Sequence, residues 1–391
     1  MSLAALSSVI THIRLGQPLP FGVCDAEGML LLARGQHIDS QAQLDALLAR
    51  GALADLHGID TAAALTSASS VFDAAGLAAR IEQIVMADRS ALPRLWSSCL
   101  HQVSQTLLQM PARGFAQALD DAAAPVAALV ARDPDLAIFQ VLHEGGDPDV
   151  AHGARRSLQT AITAHLVAQR LGWEPTDCER AFKVALTMNV SMLALQGQLA
   201  RQTTAPTAEQ RQALQTHPVR SLQMLEAAGV ADRDWLTAVL RHHEQEDGSG
   251  YPAGCSDVGD IASLARRADQ YTAKLASRSG RSAMAADIAG RQMFMQDPGH
   301  PMTAALVREF GIYPPGCFVQ LASGQSALVV QRGASLTTPV VMCLTDERGR
   351  ALPVPRRVTA GEGALAVAAV IGQGSVNARL SMDRLAALVT N

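Results

Sequence analysis

No block of one charge runs along this 391-residue chain, and its formal net charge is only −4. Bulk electrostatics therefore favour neither nucleic acid nor a membrane surface. Long apolar runs are missing too. The longest, near 364–371, falls far short of the roughly eighteen residues of a membrane span. The opening "MSLAALSSVITHIRLGQPLP" has no basic flank ahead of an apolar core and no small-residue cleavage site, so it reads as unexported and the chain as cytoplasmic. None of the six cysteines, Cys24, Cys99, Cys178, Cys255, Cys317 and Cys343, belongs to a CxxC pair. Scattered in this way they suit reduced, mostly buried thiols rather than a disulfide framework. Aromatic residues make up only 4%.

What is present is an ordinary globular composition, 48% hydrophobic, in a chain long enough for two or three domains. "LPFGVCDAEGMLLLARGQHI" predicts two short strands around a turn at Ala26–Gly28. "SQAQLDALLARG" predicts a helix, with Ser40 and Gln43 at capping-box spacing, a Leu44, Leu47, Leu48 stripe and Gly51 as its stop. "DTAAALTSASS" is small, polar and aperiodic, which predicts a linker. From Phe72 to Gly290 the pattern is helical almost throughout. Leu158, Ile162 and Leu166 share one face of a helix that stops near Gly172. Thr207 and Gln210 form another capping box, and Leu236, Leu240 and His243 share a face. After "FGIYPPG" the period changes, and "CFVQL", "SALVVQR" and "PVVMCLTD" predict a β-rich tail.

The stretch "RHHEQEDGSGYPAG" concentrates the candidate chemistry. Adjacent helical residues point about 100° apart. His242 and His243 are thus expected to face two different ions, or one a site and one the core, rather than to grip one ion. His217, in "LQTHPVRS", precedes a proline expected to break or restart its helix, and Asp269 follows in "RRADQYTAK". Imidazole and carboxylate suit Fe, Mn or Zn, and a two-metal pair activates water for attack on phosphorus. Read singly, each histidine is more readily a hydrogen-bonded core group. The "GxG" of "DGSGYP" is too short for a phosphate loop. Glu244 and Asp247 could form an acid–base pair or order the turn.

Taken whole, "HHEQEDGSGYP" resembles the signature of HD-GYP proteins, the bacterial subset of HD-superfamily phosphohydrolases. "TAEQRQALQTHPVRSLQML" and "IASLARRADQYTAKLASR" extend the likeness, which covers roughly residues 140–345. The resemblance implies hydrolysis of cyclic di-GMP at a two- or three-iron or manganese centre. It places His217, His242, His243 and Asp269 at metal-ligand positions and Gly250, Tyr251 and Pro252 at the GYP. It puts Asp247 and Tyr251 at the ligand pocket and Arg278 near substrate phosphates, whereas Arg281 and Arg291 default to a solvated face. The family's His-Asp pair is absent, however. In "ALTMNVSML", Met188 stands for the histidine, Asn189 for the bridging aspartate, Ser191 for glycine and Met192 for the phosphate-reaching lysine. Counting back from Gly172 reaches Arg156 where a further histidine ligand begins the first core helix, with His152 one turn earlier, and Thr272 replaces an acid.

An amide cannot bridge two cations, a thioether suits this site poorly, and an arginine repels metal. The expectation is a mainly α protein. It has a mixed β/α domain at 1–62, a helical connector at 63–140, a degenerate HD-GYP core at 141–310 and a β-rich extension at 311–391. It is expected to act in cyclic-dinucleotide signalling as a nucleotide-binding effector or protein-interaction module, with no catalytic residues and no cofactor. An active form would be a cyclic di-GMP phosphodiesterase using Fe or Mn. A third form is a nucleotide-independent scaffold. The expected partners are cyclic di-GMP and signalling proteins, with a homodimer allowed and nucleic acid excluded. Arg156 is expected to fill the metal's place and pair with Asp269, leaving the three histidines as neutral core groups.

Overall fold

The computed structural model describes residues 74–110, 114–143, 152–276, 283–376 and 381–390. In the N-terminal stretch it describes 3–6, 19, 21–25, 29–33, 35–38, 40, 43, 44, 46, 47 and 52–55. The chain divides into two units, Met1–Asp73 and Ala74–Asn391.

The first unit holds four short antiparallel strands, β1 (Leu3–Ala5), β2 (Gly22–Cys24), β3 (Leu30–Leu32) and β4 (Leu53–Asp55), in the order β1-β4-β2-β3. β2 and β3 are the hairpin pair the sequence predicts, and the turn at 26–28 lies outside the described residues. Ser40 Oγ accepts from the Gln43 amide at 3.2 Å, one half of the expected capping box. Leu44 is buried with Phe21, Val23, Ile38 and Ala54, which gives this small unit its own core. Leu48, Gly51 and the expected linker lie outside the described residues.

The second unit is helical up to residue 310: α1 (Ala74–Met86), α2 (Leu92–Leu108), α3 (Phe115–Arg132), α4 (Pro134–Leu142), α5 (His152–Arg170), α6 (Pro175–Thr187), α7 (Leu193–Arg201), α8 (Ala208–Ala227), α9 (Arg233–Arg241), α10 (Asp260–Leu275), α11 (Ala286–Gln296) and α12 (Pro301–Phe310). α5 is buried along most of its length and packs against α6, α7 and α10, so it is the axle of the core. Leu158, Ile162 and Leu166 are all in its buried set. It ends at Arg170, and Gly172, at φ +77°, takes the left-handed conformation that a helix C-terminus favours. At α8 the full capping box forms, with Thr207 Oγ1 accepting from the Gln210 amide and Gln210 Oε1 from the Thr207 amide.

Beyond α12 the strands β5 (Phe318–Leu321), β6 (Ser326–Gln331), β7 (Val340–Thr345), β8 (Ala351–Thr359) and β9 (Val367–Ile371) form an antiparallel sheet in the order β8-β7-β6-β5-β9. Side chains alternate between its faces. Phe318, Leu328, Val330, Met342 and Leu344 join the helical core, while Val319, Leu321, Ala327, Val329, Val341 and Cys343 form a second cluster. β8 carries Pro353 and Pro355, which an edge strand tolerates because its outer N–H groups have no ladder partner. The tail is not β throughout. A final helix, α13 (Met382–Thr390), buries Leu385, Leu388 and Val389 in the main helical core.

All six cysteines are free thiols, five of them buried. Among the described residues no helix is long and apolar enough to cross a membrane.

Candidate metal centre

Pro218 does not break α8; it lies inside the helix. A proline lacks the N–H that would bond the carbonyl four residues back. Here the carbonyl so released, that of Leu214, is taken by His217 Nδ1 at 2.6 Å. The proline therefore orients the histidine. A carbonyl can only accept, so the His217 proton is on Nδ1 and its lone pair on Nε2.

The same happens at the end of α9. The helix stops at Arg241, and His242 Nδ1 lies 2.7 Å from the Val239 carbonyl, one of the last carbonyls a helix leaves unbonded. His242 Nε2 is thus also an acceptor, and it faces His217 Nε2 at 3.0 Å. His243 lies in the turn just beyond the helix. The turn swings its ring to 4.2 Å (centroid to centroid) from that of His242 and 5.0 Å from that of His217. The helical argument that separated the two adjacent histidines fails for this reason. One ligand atom from each of the three lies within 4.8 Å of the others.

The turn after His243 is built to hold these rings. Glu244, 1% exposed, accepts from the Ala253 amide at 2.7 Å and the Cys255 amide at 3.1 Å. Asp247 Oδ1 accepts from the amide and hydroxyl of Ser249, bonds that hold its carboxyl below the usual range. Both acids order the turn. The Tyr251–Pro252 bond is cis, and the Tyr251 ring stacks on His243 at 4.6 Å and 13°. Burial, followed by the Asp269 charge, pushes the Tyr251 hydroxyl upward. A Cβ at Gly250 would run into Glu244 Cα and come within 2.5 Å of the Gln245 backbone nitrogen. Gly250→Ala is therefore expected to lower stability by about 3 kcal/mol in urea unfolding. A loss under about 0.5 kcal/mol, the range of an ordinary surface change, would contradict this packing.

Burial lowers all three imidazoles. His217 falls to about 3 through desolvation and then the His242 charge. His243 falls to about 3 through desolvation and then His217 and Arg266. His242, fully buried, is lowered well below its ordinary value. They are neutral donors of lone pairs, as metal binding requires.

The remaining positions surround this trio unevenly. Met188 is fully buried, and Asn189, 2% exposed, leaves its Oδ1 without a hydrogen-bond partner among the described residues. The turn carrying them is fastened to α8, with Ser191 Oγ donating to the His217 carbonyl at 3.1 Å and lying 2.9 Å from Ser221 Oγ. Met192 is buried beside it, and His152 and Arg156 are both 8% exposed on α5. Arg156 Nη1 donates to the Thr272 carbonyl at 2.6 Å, so its guanidinium docks on α10, the helix that carries Asp269. Arg278 and Arg281 lie outside the described residues.

Arg266 was not singled out in the sequence. It is close enough to lower His243, and it donates to Glu246 at 2.7 Å while its Nε has no partner among the described residues. Beside it Arg267, 3% exposed, pairs with Asp297 and Glu246. The signal in the sequence was weak: the two adjacent arginines of "LARRADQ" point about 100° apart on a helix, so one of them can turn towards the packed side.

Two facing acceptors 3.0 Å apart repel unless a cation lies between them, and burial disfavours an imidazolium in that role. Their 3.0 Å separation is short enough for both nitrogens to reach one ion. The trio therefore fits one transition-metal ion. At the position that resembles the family's bridging carboxylate the chain carries the neutral Asn189.

Residues 148–293 match the HD domain family. The chain is 32% identical over 148 residues to the cyclic di-GMP phosphodiesterase PA4108 of Pseudomonas aeruginosa, across 36% of this chain and 35% of that protein. The match thus spans about a third of the relative's length. The fold is shared with Bd1817, a HDG"Y"P protein from Bdellovibrio bacteriovorus, at a TM-score of 0.51 and 15% identity over 78% of this chain and 97% of the other. The histidine trio, the GYP turn and these likenesses coincide in one segment, residues 148–293, which is similar to an HD domain of the HD-GYP kind.

Proposed function

We propose that this chain works in cyclic-dinucleotide signalling as a catalytically degenerate HD-GYP protein, binding the nucleotide or a protein partner without hydrolysing it. The observation that carries this reading is the pair Met188 and Asn189. One is a fully buried thioether and the other a buried amide whose oxygen has no hydrogen-bond partner among the described residues, at the positions where the resembled family has histidine and aspartate. The relative from Pseudomonas aeruginosa, by its name a cyclic di-GMP phosphodiesterase, supports the ligand class.

His217, His242 and His243 would hold one divalent ion, and Asp269 is the family-like carboxylate position that could add an oxygen ligand. Such an ion would polarise a phosphoryl oxygen. The chain's own residues do the rest. The α8 proline and the α9 terminus fix the two imidazole tautomers, Tyr251 holds His243 in plane, and Arg156 places a permanent positive charge on the Asp269 helix. Arg278 is the proposed phosphate contact, with Asp247 and Tyr251 at the pocket.

The test is incubation with cyclic di-GMP and Mn²⁺ or Fe²⁺ under anaerobic conditions, beside calorimetry in EDTA. Binding without product is the expected result, weakened by Arg278→Ala. Sustained multiple turnover abolished by His243→Ala would establish an active phosphodiesterase instead. Neither heat nor product at tens of micromolar would favour the scaffold. Restoring the missing pair with Met188→His and Asn189→Asp is expected to raise metal stoichiometry above one.

A further inference from the structure

Away from the histidines, a cavity of about 380 Å³ opens between the connector helix α3 and the core helix α6, a size suited to a small ligand. Its walls are apolar where Leu77, Ala124 and Phe182 line it, and acidic where α3 presents Asp120 and Asp121. Asp121 is 4% exposed. One of its oxygens accepts from Gln117 Nε2 at 2.8 Å, and the other has no hydrogen-bond partner among the described residues. A buried carboxylate left in that state is strongly disfavoured.

The nearby cation does not relieve it. Lys183 Nζ lies 2.6 Å from Asp120 Oδ1 and 2.6 Å from Glu179 Oε1, so it is already shared between two other acids. Three carboxylates and one ammonium leave this pocket with an excess of negative charge. His165 adds a further acceptor. Its Nδ1 lies 3.2 Å from the Cys178 carbonyl, which puts the proton there and the lone pair on Nε2. Among the described residues only the histidine trio gathers three metal-ligating atoms closely, so these groups are too dispersed for one ion.

We propose that this cavity binds a small organic cation, an alkylamine or guanidine, whose N–H groups donate to Asp121 and whose apolar stem lies against Ala124 and Phe182. A cation with several donors satisfies acceptors too far apart for a metal, and a charge-assisted bond is strongest where water is excluded. The site joins the connector to α6, the helix that runs into Met188 and Asn189.

The experiment is calorimetry of the full chain with butylamine, putrescine, agmatine and methylguanidine, with 1-butanol as the neutral control. At least one cation is expected to bind at submillimolar concentration while butanol does not. Asp121→Asn, which keeps shape and removes charge, is expected to weaken binding about tenfold or more. Ala124→Leu, which fills the cavity without touching charge, should abolish it. Absence of binding by all four cations at millimolar concentration overturns the proposal. So does binding that survives both substitutions, since it would then lie elsewhere.

Discussion

Protein prepared without chelator is expected to carry one transition-metal ion per chain, and not two. The reason is the geometry of the lone pairs. His217 and His242 each spend their Nδ1 proton on a backbone carbonyl, which leaves two Nε2 acceptors 3.0 Å apart in a buried site, with His243 beside them. An ion removes that repulsion without protonating a ring. A second ion lacks its bridging anion, because Asn189 is neutral and Met188 is fully buried. Metal content measured by mass spectrometry, followed by titration of EDTA-stripped protein with Zn²⁺ or Mn²⁺, checks this. His217→Ala or His242→Ala should each weaken uptake by about a hundredfold or more, since outer-shell changes alone cost about 10–100-fold. A stripped protein that takes up none of these ions would sink the single-ion site, and a stoichiometry of two would sink the degenerate one.

The stripped protein is also expected to lose several kcal/mol of stability between pH 7.5 and pH 5, a steep fall for a net charge of only −4. His217 and His243 titrate near 3 when folded and near 6.5 when unfolded, and His242 is lowered in the same direction. Between those values the unfolded chain binds more protons than the folded one, so stability falls as pH falls below about 6.5. His143 and His165, also lowered by burial, add with the same sign. Urea unfolding at pH 7.5, 6 and 5 measures it. The proton linkage of the trio appears as a smaller fall in His217→Gln. A flat profile across that range would mean the rings are not buried and neutral.

Much of this protein can be read from local order in its residues. The capping box at Thr207 and Gln210 forms as spelled, because both partners lie within one turn of each other. The α5 stripe and the stop at Gly172 follow from helical period and from glycine's freedom at φ +77°. The strands after Pro315 follow from short Val-rich runs set between Gly- or Pro-containing turns, and the GYP string and the missing His-Asp pair are matters of residue identity. None of these depends on what a distant segment does.

Tertiary structure decided the rest. Proline chemistry alone made residue 218 a place where the helix breaks or restarts, whereas in the fold α8 runs on and His217 takes up the carbonyl that the proline frees. Periodicity likewise sent His242 and His243 in different directions, and they converge because α9 ends one residue earlier and the turn behind Glu244 folds back. The last helix joined the main core because its apolar face found partners there. Asp121, unremarkable in the string, became a buried acid with an oxygen that has no hydrogen-bond partner among the described residues only when α3 packed into the helical core, with Lys183 already engaged by Asp120 and Glu179. The sequence determines which groups exist and which local bonds they can make. Burial, tautomer and the meeting of lone pairs are properties of neighbours far apart in the chain, and only packing assigns them.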